Sequence, residues 1–184
     1  PVFVDIEKES LNIDPDKISL AITENTKAIL PVHCYGNSCS INKINKIAKE
    51  NNLNIIYDAA HAFGVNDKSG SILNYGDLSV VSFHATKVFN TFEGGAIISK
   101  DIQTKEKIDR LLNFSIDYAS NNVELLGLNG KMSEIAALNG ICQLDHIDEV
   151  FQKRKDIYKI YKDNLDDIKH IKVYEIDTDY RNGY

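Results

Sequence analysis

The sequence predicts an α/β fold with a mostly parallel sheet flanked by helices, and two observations carry that prediction. Short apolar, β-prone runs alternate with stretches of helical periodicity, the pattern of strand–helix–strand units. Polar and small residues follow directly on the apolar runs, as they do where parallel strands end at an open sheet edge. Composition agrees: of 184 residues, 43% are hydrophobic and 26% charged, ordinary values for a folded chain with material for a real core.

Residues 2–5 read as a short strand. Asp14 then Pro15 pairs an N-cap with proline at the first helical position, and Ile18, Ala21 and Ile22 supply that helix's buried stripe. Residues 26–32 form an apolar strand ending in His33-Cys34-Tyr35-Gly36. Ile41, Ile44, Ile47 and Ala48 recur at helical spacing as far as Glu50, and Asn54-Ile55-Ile56-Tyr57 follows as a buried strand. A run of small residues, Asp58-Ala59-Ala60-His61-Ala62-Phe63-Gly64, comes next. Leu78-Ser79-Val80-Val81-Ser82-Phe83 is a strand leading to His84-Ala85-Thr86-Lys87, and Glu93-Gly94-Gly95 opens the strand Ala96-Ile97-Ile98-Ser99. A helix starts at Asp101 with Ile108, Leu111 and Leu112 on its apolar face, and residues 133–147 form another. Residues 149–168 form a long amphipathic helix, with Val150, Ile157, Ile160, Tyr161, Leu165 and Ile168 roughly on one side. Residues 171–176 are a last strand. The predicted boundary lies inside the long helix, near residues 149–156, dividing an α/β layer (1–150) from the start of a smaller unit (151–184).

Charge and cysteine usage narrow the function. Lys+Arg 21 against Asp+Glu 27 leaves a net charge of −6 with no basic stripe, which argues against a nucleic-acid or anionic-membrane partner. No apolar run approaches the ~20 residues of a membrane helix, and no signal peptide is visible, so the expected compartment is the cytoplasm. Three cysteines are an odd set, not a disulfide framework. Cys34 and Cys39 lie near His33, but a second close ligand pair is missing, so buried thiols rather than a metal site are expected. Both ends read as those of a piece of a longer chain: Pro1 runs straight into Val2-Phe3-Val4, and the only methionine is Met132.

The residues to interrogate are those just beyond apolar strands: Asp58, His61, Ser82 and Lys87. Taken singly, an aspartate there caps the next turn and a loop lysine is solvated surface. Taken together they describe another chemistry. A desolvated lysine can attack an aldehyde to form a Schiff base. An aspartate facing a pyridine nitrogen keeps it protonated, so that the ring accepts electrons, and a serine hydroxyl can hold a phosphate. Those roles describe a pyridoxal phosphate site.

Four ordered motifs make the resemblance specific. Tyr57-Asp58-Ala59-Ala60-His61-Ala62-Phe63-Gly64, Gly76-Asp77-Leu78-Ser79-Val80-Val81-Ser82-Phe83-His84-Ala85-Thr86-Lys87, Glu93-Gly94-Gly95 and Gly127-Leu128-Asn129-Gly130-Lys131-Met132-Ser133-Glu134 together resemble the DegT/DnrJ/StrS nucleotide-sugar aminotransferases. Upstream, Ile13-Asp14-Pro15 and Thr26-Lys27-Ala28-Ile29-Leu30-Pro31-Val32-His33 follow the same pattern. The resemblance implies the large domain of a fold type I pyridoxal-phosphate enzyme, with residues 151–184 beginning a small α+β domain. It implies Lys87 as the Schiff-base lysine, Asp58 as partner of the pyridine nitrogen and Ser82 as a phosphate ligand. His61 falls near the ring's phenolic oxygen. Asn129 matches an asparagine that reaches the cofactor phosphate of the opposite subunit, so a homodimer with shared sites is implied. His84 lies beside these residues, with a role in the site and plain packing both open.

The Ser-Phe-His-Ala-Thr-Lys and Glu-Gly-Gly motifs look closer to enzymes aminating C4 of a dTDP-4-keto-6-deoxy sugar than to the C3 group. Glutamate is the amino donor the resemblance implies. Family members also carry a preceding segment, with a phosphate-binding helix start and a ring-stacking aromatic, and a longer C-terminal domain. Two other readings stay open: a sugar-dehydrating relative, in which histidine replaces the Schiff-base lysine, and a non-catalytic descendant. A dinucleotide-binding fold is disfavoured, because no Gly-x-Gly-x-x-Gly follows an early strand.

Overall fold

The computed structural model describes residues 1–117, 120, 122, 123 and 125–174. Helix α1 (Pro15–Ala21) starts as predicted, the Asp14 carboxylate accepting from the Asp16 amide at 3.0 Å. Strand β1 (Ala28–Ile29) is followed by α2 (Ile41–Glu50), β2 (Asn54–Asp58), a hairpin of β3 (Asn66–Asp67) and β4 (Gly70–Ser71), β5 (Leu78–Ser82) and β6 (Gly95–Ser99). Next come α3 (Ile102–Leu112), a second small hairpin of β7 (Ile116–Asp117) and β8 (Asn122–Val123), α4 (Glu134–Leu144) and α5 (Ile147–Leu165).

The main sheet has the order β1-β2-β5-β6. The β1–β2 and β2–β5 pairs are parallel and β5–β6 is antiparallel, so the sheet is mostly parallel, as predicted. Burial explains the strands. Ile55 and Tyr57 point into the core from β2, and Ser79 and Val81 from β5. α2 lays Ile41, Ile44 and Ala48 onto the same core, Ile44 being fully buried. The turn into β5 needs a glycine: Gly76 has φ +73°, and a Cβ there would lie 2.7 Å from the Tyr57 ring.

Four expectations need correcting or qualifying. Residues 2–5 form no strand; only an isolated Ile6–Ile13 bridge forms, and Val2 and Phe3 are exposed because no neighbouring strand pairs with them. The strand expected over 26–32 shrinks to two residues, with Pro31 lacking a ladder donor and Val32 rejoining only as a bridge to Asp58. The stripe assigned to the long helix is mostly uncovered: Ile157, Ile160, Tyr161 and Ile168 are exposed. Ile171–Tyr174 are not in a strand, and residues 175 and 176 lie outside the described residues. α5 itself runs unbroken through residues 149–156. Among the described residues, no helix is long and apolar enough to cross a membrane.

Candidate functional site

β2 and β5 are parallel neighbours, so their carboxyl ends lie side by side, and the Ala59 amide bonds the Val80 carbonyl at 2.8 Å just where β2 ends. Asp58 is the last residue of β2 and Ser82 the last of β5. The topology therefore brings these two residues to one sheet edge. Asp58 is half-buried, and its carboxylate accepts from the Ala60 amide at 3.0 Å, which turns the chain toward His61.

Lys87 sits in the turn after β5, its amide bonded to the His84 carbonyl at 2.9 Å. It is half-buried, and among the described residues no hydrogen bond or ion pair engages its ammonium. The turn is anchored from below. Phe89, two residues beyond Lys87, is buried, stacks on Phe63 at 4.5 Å and meets Phe83 edge-on at 4.8 Å. Phe63 belongs to the small-residue run after β2, so this aromatic cluster ties the Asp58–His61 turn to the Ser82–Lys87 turn. The far side of the loop is closed by the Thr91 amide on the Phe83 carbonyl (2.9 Å) and the Thr91 hydroxyl on the Glu93 carbonyl (2.8 Å).

Ser82 Oγ accepts from the His84 amide at 3.3 Å. His84 Nδ1 lies 2.9 Å from the Thr86 hydroxyl and its Nε2 lies 3.7 Å from a Glu93 carboxylate oxygen, so His84 links both sides of the loop at the exposed rim. His61 is exposed, with its imidazole stacked against the Tyr35 ring. Asn129 is placed differently: it is exposed, bridges to Asn113 and accepts from Lys131 Nζ at 2.7 Å.

The sequence did not single out Tyr35 or assign His33 a place beside this edge. His33 is fully buried, its amide bonds the Asp58 carbonyl at 2.9 Å, and its ring stacks on Tyr57 at 4.6 Å. The Cys39 amide donates to Nδ1 at 3.1 Å, which puts the neutral ring's proton on Nε2. Burial, partly opposed by the Asp58 charge, depresses the imidazole to about 4. Cys39 is buried, its thiol donating to the Val32 carbonyl at 3.1 Å, and burial pushes that thiol up to about 12. Among the described residues, no group of three or more His, Cys, Asp or Glu side chains could hold a metal ion.

The DegT/DnrJ/EryC1/StrS aminotransferase family profile matches residues 1–183. The chain belongs to this family. It is 55% identical over 174 residues to the dTDP-4-amino-4,6-dideoxy-D-glucose transaminase of Shigella dysenteriae, covering 94% of this chain and 47% of that protein. It is 51% identical over 168 residues to the Escherichia coli protein of the same name, covering 90% and 44%. Among solved structures, DesI in the presence of its TDP-sugar product superposes with a TM-score of 0.92 at 36% identity, covering 100% of this chain and 47% of that one. The chain thus spans about half the length of the curated relatives it matches. As a member of the DegT/DnrJ/EryC1/StrS family it shares the α/β fold of these neighbours.

Proposed function

We propose that the protein containing this chain is a pyridoxal-phosphate-dependent aminotransferase. It moves an amino group from an amino acid, glutamate, to C4 of a dTDP-4-keto-6-deoxy sugar. The observation that supports this reading is that Asp58 ends β2 and Ser82 ends its parallel neighbour β5, with Lys87 in the turn that follows and, among the described residues, no hydrogen bond or ion pair on its ammonium. The names of the Shigella and Escherichia relatives support the sugar and the position aminated.

The donor set suits the cofactor chemically. A carboxylate complements a protonated pyridine nitrogen, a hydroxyl a phosphate, and an amine an aldehyde. When bound, pyridoxal phosphate supplies an electron sink for the carbanion that forms as the substrate loses its α-proton. Asp58 would keep the proton on the pyridine nitrogen, its carboxylate charge opposing loss of that proton. Ser82 would hold the phosphate, and Lys87 Nζ would hold the aldehyde carbon. The Lys87 amine, when free, would be the group to move the substrate proton, as general base and then general acid. His61 would face the phenolic oxygen. Asn129, exposed and bonded to Lys131 and bridged to Asn113 among the described residues, suits the phosphate of a second copy, which makes the active form a homodimer with shared sites. Residues 1–150 are the cofactor-binding domain, 151–184 begin the small domain, and the enzyme works in the cytoplasm.

The test is amination of dTDP-4-keto-6-deoxyglucose by glutamate in the full-length protein. Lys87→Ala is expected to fall to background. Asp58→Asn is expected to lose roughly 10²–10⁴ in kcat while folding normally, the range usual for a proton-controlling group. Turnover surviving in Lys87→Ala would end the assignment.

A further inference from the structure

Tyr35 carries a backbone cost without an evident return in the core. It lies in a single 3-10 turn, Cys34–Gly36, with φ +52° and ψ +24°, a left-handed conformation that disfavours a bulky side chain. Gly36 follows at φ +76°, so two successive residues are left-handed. The surroundings enforce the turn. The Cys34 amide donates to Asn12 Oδ1 at 2.8 Å, the Asn12 side-chain amide donates to the carbonyls of Asn37 and Ser38 at 3.1 Å each, and the Gly36 amide bonds the His33 carbonyl at 2.9 Å. Asn12 is itself buried, so the brace comes from inside the protein. Yet the Tyr35 ring it presents is 63% exposed. That ring lies parallel to the His61 imidazole, 13° between planes and 6.1 Å between centroids, an offset stack. Strain of this kind persists where the surrounding structure over-determines it, and it collects at functional sites.

We propose that Tyr35 is a positioning residue: its ring, held by the braced left-handed turn, clamps the His61 imidazole over the edge where β2 ends. The proposal rests on the reading of His61 as facing the cofactor's phenolic oxygen, and it adds the residue that fixes His61 there. The ring face does the clamping, and a phenyl ring keeps that face. Asparagine tolerates the left-handed backbone and lacks the ring, which separates the clamp from the fold.

The test uses the full-length protein in two arms. Without cofactor, diethyl pyrocarbonate is added and modification of His61 is followed by peptide mass spectrometry. Tyr35→Asn is expected to raise the His61 rate several-fold at an unchanged melting temperature, and Tyr35→Phe to keep the parent rate. With cofactor, the visible absorbance band and its pH midpoint are compared. Tyr35→Asn and His61→Ala are expected to shift both in the same direction, with the double variant shifting no further than the larger single change. Tyr35→Phe is expected to match the parent. Unchanged His61 reactivity in Tyr35→Asn, or a double variant whose shift is the sum of the singles, overturns the proposal. If the parent protein shows no band at all, the cofactor reading fails instead, and the reactivity arm decides the clamp by itself.

Discussion

His33 and Tyr57 set the chain's response to acid and to small side-chain changes. Because burial holds His33 neutral down to about 4, the unfolded chain takes up a proton first as the pH falls through 6.5. The His33 contribution is thus complete above 6.5, is lost progressively between 6.5 and about 4, and is flat below, a total of about 3 kcal/mol. Urea denaturation across that range should show the slope, and His33→Asn, which keeps an acceptor for the Cys39 amide, should flatten it. The Tyr57 hydroxyl is buried with no hydrogen-bond partner among the described residues. Tyr57→Phe should accordingly leave stability unchanged or raise it, since removing an unpaired buried hydroxyl gives up no bond; a loss above about 1 kcal/mol, the usual value of a hydrogen bond, would contradict this. The placement of Asp58 and Ser82 at strand ends was legible because each closes an apolar run. The left-handed turn at Tyr35 was not, because a positive φ leaves no mark in composition, and His33 read as a neighbour of thiols rather than as a buried acceptor.

Element boundaries were legible where a side chain caps the helix. Asp14, Asp101 and Ser133 each accept from a first-turn amide, and α1, α3 and α4 begin one residue later. Asp14→Ala and Ser133→Ala should each cost about 1 kcal/mol by thermal or urea melting, the usual value of an N-cap oxygen. Strands were legible where the apolar run has a pairing partner, including β6 at the sheet's end. β2 and β5 are flanked on both sides in the sheet and match their apolar runs closely, whereas the apolar run at residues 2–5 finds no pairing partner. A strand is a property of two segments, so one segment's pattern cannot establish it. For the same reason the antiparallel direction of β6 could not be read from its own residues.

Across the whole molecule, a contact ties the last long helix to the turn that follows β2. Phe151 of α5 packs on Gly64, at the end of the small-residue run after β2, and a Cβ on Gly64 would lie 2.3 Å from the ring. With φ +73° there as well, Gly64→Ala should destabilise by about 1–2 kcal/mol, the cost of a left-handed non-glycine residue. It should also speed amide exchange in α5 before it affects β2. Elsewhere large apolar surface stands open. Ile135, Leu138 and Ile141 of α4 are 75%, 61% and 60% exposed, and an apolar cavity of about 710 Å³ lies between the first residues and β1. The 184-residue chain alone should therefore bind a hydrophobic dye and self-associate with concentration; a dye-dark monomer in light scattering would contradict that. The central claim is that Lys87 and Asp58 serve one cofactor. Its most direct test is borohydride reduction of the full-length protein with pyridoxal phosphate, followed by mass mapping of the fixed adduct. The account predicts a reduced pyridoxyl group on Lys87 alone, weakened in Asp58→Asn; an adduct on another lysine, or none, would contradict it.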